Sequence, residues 1–386
     1  MSTLTTLSLK SFSKRTVPLL FFLFILCFSK IYGQTHSFSG TIGKYPIYLQ
    51  MVVDGGRVSG YYFYKNKLID ISLEGTSKSG QVTLKSSDEY GQDISDPETF
   101  KFKWPNKTIQ GTWSQKGKSL PLKLAALTSK ETGSPKCSNP YFKKEVYATS
   151  DLTKVKVGLF KLKEVNTVQT INHVKIRHFE ETNTKITLFR IDSGLVADRQ
   201  KDANLYLEFL QISECLSSLG CASYSTYGSD YSYSVSDINI SNDLISFSVF
   251  AAYYCGGAHP EESNYGISYD LTKHQPIKSS DFLIPGKESI YEERVYAYLA
   301  KNNPKYFSEN NESEEYDANM DCQYFQRELW TADCDFVLTS DGIKLLPSFA
   351  HYAAPCLEPE WAVIPYSELK DLIKPEYYGK LNQLKP

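Results

Sequence analysis

No stretch of this chain holds the roughly 20 consecutive apolar residues that a membrane-spanning helix needs. The nearest approach, VPLLFFLFILCFS, is about 13 residues long and lies close to the amino terminus. Basic residues are scattered rather than clustered, so the charged footprint of a nucleic-acid binder is missing. There is no CxxC pair and no Cys/His spacing of a zinc site, so neither a metal nor another cofactor is expected. The GxSxG elbow of many serine hydrolases does not occur either. A Ser/His/Asp triad is a matter of geometry, which residue types alone do not decide.

What is present begins with an address. Lys10, Lys14 and Arg15 precede the apolar run and small Gly33 follows it, which is the layout of a secretory signal over residues 1–33. Leu26 precedes Cys27 where a lipobox needs a small residue, which argues against a lipid anchor. The expectation is an exported protein, periplasmic or extracellular, with no membrane span in the mature chain. The signal carries four basic residues and no acid, so its removal takes the formal charge from −2 to −6. A basic partner protein is compatible with that balance.

Seven of the 8 cysteines lie beyond the signal, and in an oxidising compartment cysteines default to disulfides. An odd number leaves one thiol over. Cys137, alone in the linker-like TSKETGSPKCSNP, is the candidate; the other six, Cys215, Cys221, Cys255, Cys322, Cys334 and Cys356, allow 15 connectivities.

From Ser37 to Leu124 short runs of alternating character are separated by turn residues: YPIYLQMVV, RVSGYYFY, LIDISLEG, GQVTLKS, TFKFKW, TIQGTW and LPLKLAAL. The period of two and the β-branched and aromatic bias predict about eight antiparallel strands. Such a meander closes into a barrel or a sandwich, which removes its exposed edges. Tyr61 to Tyr64 offer rings for a stacking platform, but alternation turns two of the four into the core. After a linker at 128–145, strands KVKVGLFKLK and KITLFRI mix with helix-like DANLYLEFLQISECLSSLG and ESIYEERVYAYLAKNNP, and Asp341-Gly342 marks a hairpin. The fold class is therefore mainly β with α+β: a β-module over 34–127, barrel- or sandwich-like, then an α+β domain with an antiparallel sheet over 146–386.

Two runs carry a resemblance. ISFSVFAAYYCGGAHPEESNYGISYDLTKHQPIKSSDFL and DFVLTSDGIKLLPSFAHYAAPCLEPEWAVIPYSELKDLI together resemble the extracytoplasmic, lysozyme-sensing domain of the anti-sigma factor RsiV, a domain also found in a peptidoglycan deacetylase. The FSGTIGKYPIYLQM to LPLKL part resembles a small exported bacterial β-module. The first resemblance implies binding of a lysozyme-type protein or of peptidoglycan, without catalysis. Two departures stand against it: the six cysteines, and Cys356-Leu357-Glu358-Pro359-Glu360 where the family tends to have a glycine. A sigma factor is not an expected partner, because about 16 residues before the apolar run cannot build a partner-binding core.

The contact surface is then expected at Gly256, Gly257, His259 and Pro260 and at Tyr352, Glu358, Glu360 and Trp361, with Glu358 and Glu360 on one face of an extended segment. Cys255 and Cys356 each end an aromatic strand in these runs, so a bridge between them would pin the two together, with Cys322–Cys334 and Cys215–Cys221 completing the set. His259 reads as turn chemistry in GGAHP, with Glu261, Glu262, Asp270 and His274 as its conceivable acid, base or ligand partners. No catalytic residue and no metal ligand is assigned. A glycan- or peptidoglycan-active hydrolase using His259 and a carboxylate, and a structural envelope protein, are the competing readings.

Overall fold

Alternation of apolar residues along the first eight strands puts one side chain in two on the same face, and closing the sheet encloses that face. The computed structural model describes residues 33–384 apart from 89–93, 107, 146–149, 225–229, 257, 308–321 and 350–355. The expected signal segment, Gly257 and Tyr352 thus lie outside the described residues. Strands β1 (Gln34–Ile42), β2 (Tyr45–Asp54), β3 (Arg57–Tyr64), β4 (Ile71–Lys78), β5 (Gln81–Ser86), β6 (Thr99–Lys103), β7 (Thr108–Gln115) and β8 (Lys118–Ala126) pair in sequence order, and β1 closes on β8 as a barrel. Phe38, Leu49, Tyr62, Leu73, Leu84, Phe100 and Leu122 fill its interior. Of the two outcomes the alternation allowed, the barrel forms.

The Tyr61–Tyr64 platform does not. Tyr62 faces inward, with its hydroxyl on Glu98. Phe63 faces outward but is fully buried, sharing a core with Tyr48, Leu68 and residues of the following unit. Tyr61 meets Ser150 through its hydroxyl at 2.8 Å.

That contact leads to the first helix. KVKVGLF, expected as strand, is instead the end of helix α1 (Asp151–Leu159) and the residue after it. The Ser150 hydroxyl caps the helix by accepting from the Leu152 N–H, and Leu152, Val155 and Lys156 recur at helical spacing on its buried side. Strand follows only at β9 (Leu162–Ile171), which pairs with β10 (Val174–Glu181), itself paired with β11 (Thr187–Ser193).

Helix α2 (Ala197–Tyr224) is longer than its apolar pattern suggested and packs on this sheet. A second sheet follows: β12 (Asp230–Ile240), β13 (Leu244–Tyr254), β14 (Glu261–Asp270) and the short β15 (Gln275–Pro276), all antiparallel. Helix α3 (Glu288–Asn302) leads to a third sheet of β16 (Asp335–Leu338), β17 (Gly342–Leu346) and β18 (Val363–Pro365), and helix α4 (Pro375–Leu381) closes the described chain. The hairpin marked by Asp341-Gly342 is β16–β17.

Sheets two and three meet where Gly266 of β14 faces the backbone of β16. A Cβ there would lie 1.8 Å from the Phe336 carbonyl oxygen, so only glycine permits this approach. A third core forms around Tyr291, Trp330, Ile343, Ile364 and Tyr377.

Candidate functional site

The β13–β14 hairpin sets the first half of the expected contact surface. Its register closes at Tyr253 opposite Glu261, so Cys255, Gly256 and residues 258–260 lie beyond the paired strands. Gly256 takes φ +93°, a conformation that strains other residues, which is why a glycine stands there. Cys255 at the base of the loop is bonded to Cys221 in the last turn of α2, with 4.5 Å between their Cα atoms. The bridge ties the hairpin tip to the helix end.

The second half is fixed separately. Cys356 is buried and bonded to Cys322, and the Tyr324 hydroxyl donates to the Cys356 carbonyl at 2.9 Å. The expected pairings Cys255–Cys356, Cys322–Cys334 and Cys215–Cys221 are thus corrected. Cys137, Cys215 and Cys334 are free thiols. Bridge partners follow the packing of distant elements, which spacing along the chain does not reveal. Burial pushes the Cys215 and Cys334 thiols up to about 12, so both are poor nucleophiles.

No disulfide joins the two halves, yet they lie at one end of the second sheet. The buried Asn264 side chain on β14 donates to the Leu357 carbonyl at 2.9 Å. Pro260 is four residues from Asn264 along an extended chain, about 13 Å. Glu262 shares a strand face with Asn264, and Glu358 and Glu360 are exposed just past Leu357. Glu360 lies in a turn closed by the Ala362 N–H on the Pro359 carbonyl at 2.9 Å, with Glu358 just before it, so the two do not share one extended strand and the same-face argument for them does not apply. Trp361 turns the other way. It stacks on Tyr306 at 4.8 Å and 15° and packs against Tyr324, which makes it a wedge in the third core.

His259 lies at the surface. Its Nδ1 is 3.2 Å from Glu261 Oε1 and 3.1 Å from the Pro260 carbonyl, and both side chains of the ion pair are nearly half exposed. Asp270 and His274 stand at the far end of β14, about 30 Å away at the rise of a strand, so neither is its partner. This loop presents a solvated imidazole beside a solvated carboxylate, with none of the exclusion of water that acid–base sites use. Among the described residues no group of three or more His, Cys, Asp and Glu side chains is placed to hold a metal.

A polar cluster with no signature in residue spacing lies at the other end of the hairpin. Asp202 of α2 accepts from the Tyr141 hydroxyl at 2.9 Å and the Tyr269 hydroxyl at 2.5 Å, and pairs with His274 Nδ1 at 2.9 Å. Burial is the main cause that raises both phenols, Tyr141 to about 12, so both remain hydrogen-bond donors at neutral pH. The four residues come from three separate parts of the chain, with only Tyr269 and His274 near each other in sequence. Their arrangement locks the 140–145 turn of helix, α2 and the β14–β15 hairpin together, and places no nucleophile beside the imidazole.

Among the described residues no helix is long and apolar enough to cross a membrane, and the two disulfides fit an exported protein. No protein-family model matches the chain, and no curated protein matches it. Solved structures that align with it include two of one family. A DUF3298 family protein from Bacteroides fragilis is 14% identical, covers 58% of this chain and 97% of its own, and gives a TM-score of 0.36. A DUF3298 family protein from Pseudomonas aeruginosa is 17% identical, covers 59% and 96%, and gives 0.34. Both of these solved structures are DUF3298 family proteins.

Proposed function

We propose that this is an exported, non-catalytic binding protein of the cell envelope whose docking face is the end of the second sheet bearing His259, Glu262, Glu358 and Glu360. The observation that carries the reading is the Asn264–Leu357 hydrogen bond, which brings two separately bridged segments to one end of one strand. Loops held on a rigid scaffold are where binding surfaces are commonly built. The carboxylates there suit a cationic partner, and charge complementarity acts mainly on encounter rate. A basic lysozyme-type protein meets that description, in keeping with the resemblance of the two sequence runs.

The test is capture of a c-type lysozyme by the immobilised chain, run beside a turnover assay on purified peptidoglycan. Binding is expected to weaken steeply with salt, and the pair Glu358→Gln with Glu360→Gln to slow association by about tenfold. Peptidoglycan turnover that disappears in His259→Ala, or no capture at low salt, overturns the reading.

A further inference from the structure

The barrel has an open mouth where β2, β6 and β8 end and β1 begins. A cavity of about 870 Å³ lies there, within the size range of small-ligand sites. Its floor is apolar. Phe38, Val53 and Trp104 face it, and the Trp104 ring meets His36 edge-on at 4.5 Å and Phe38 at 5.7 Å. The rim is polar and almost uncharged: Gln34, Ser37 and Asn106 supply amides and a hydroxyl, groups that both donate and accept. Asp151 adds one carboxylate, already paired with Lys154 at 3.0 Å, and no lysine or arginine lines the cup. The outer edge of β1 adds backbone groups. Its pairing with β8 begins at Phe38 opposite Ala126, and Leu127 donates to the Ser37 carbonyl, so among the described residues no strand pairs with the edge beyond.

We propose that this cup binds a neutral saccharide, one apolar ring face lying on the Trp104 floor and the hydroxyls meeting the amides, the hydroxyl and Asp151 at the rim. An anionic ligand finds no cation here. A lipid chain would leave the rim groups without partners, and it has no room below, where Tyr62, Phe100 and Phe102 are fully buried and fill the barrel. The proposal is independent of the docking face, which belongs to another sheet.

Isothermal titration of the full secreted chain with chitotriose and with cellotriose tests it, with laurate as the apolar control. Saturable binding of at least one trisaccharide is expected. Its Kd should rise about tenfold or more in Trp104→Ala and several-fold in Asn106→Ala. Asn106 is exposed on a loop, so its substitution keeps the barrel intact should Trp104→Ala disturb it. No saturation by about 10 mM of either sugar, a Kd indifferent to both cup variants, or binding of laurate in place of the sugars overturns the proposal.

Discussion

Asp270 is fully buried at the end of β14, and what makes that tolerable is Lys380 of α4, whose Nζ lies 2.9 and 2.7 Å from its two oxygens. Burial alone would raise the Asp270 carboxyl, but Lys380, the Thr272 hydroxyl and two backbone N–H groups hold it below the ordinary carboxylate range. Lys380→Met leaves a buried charge without its cation and should lower stability by about 3–5 kcal/mol, read by urea denaturation at neutral pH. The sign with pH follows from the depressed value: the contribution is present above the unfolded pKa near 4 and vanishes as pH falls through the folded one. The gap between wild type and variant should therefore narrow below about pH 4. From the sequence Asp270 was a conceivable partner of His259, and its actual partner was not legible because Lys380 is 110 residues away. His259 was legible as turn chemistry, since a glycine pair before it and a proline after it dictate backbone on their own.

Elements were legible wherever local pattern and tertiary packing agree. The barrel strands read correctly because most inward positions are apolar and turn residues stand between the strands. Helix α1 read wrongly because KVKVGLF alternates like a strand, and the deciding signals are weaker: a serine cap before the run and a buried lysine at helical spacing with Leu152 and Val155. Of the proposed docking face, the half around Gly256 and Pro260 was legible as a loop and the half around Glu358 was expected extended, whereas neither bridge was legible, since a disulfide depends on which elements meet. Each bridge spans a sequence separation of 34. Replacing Cys322 and Cys356 together by alanine should lower stability by roughly 2–5 kcal/mol and free the Leu357–Trp361 segment, reducing capture of a cationic partner more than sugar binding at the barrel. Equal loss of both activities would show a global rather than a local effect.

The barrel and the following unit are joined through the barrel face that carries Tyr61 and Phe63. Phe63 is buried there, and Lys156 reaches from α1 to Asp70 at 2.7 Å, its Nζ 5.1 Å from the Phe63 ring. The joint is electrostatically uneasy. Burial raises the Asp70 carboxyl and lowers the Lys156 amine despite their pairing, and Asp70 Oδ1 has no hydrogen-bond partner. Lys156→Met alone should destabilise the protein, while Lys156→Met with Asp70→Leu should be neutral or up to about 4 kcal/mol more stable, since replacing a buried pair by apolar groups removes both desolvation penalties. Thermal denaturation of the three proteins decides it, and a double variant weaker than the single would show that the pair sustains the joint.

The two sulfur bridges also determine how the molecule responds to a protease. A single backbone cut anywhere between Cys221 and Cys255, or between Cys322 and Cys356, leaves the severed ends on one covalent framework. A nicked chain should run as one band on a denaturing gel until a reductant is added and as two afterwards, so damage of this kind need not end its working life.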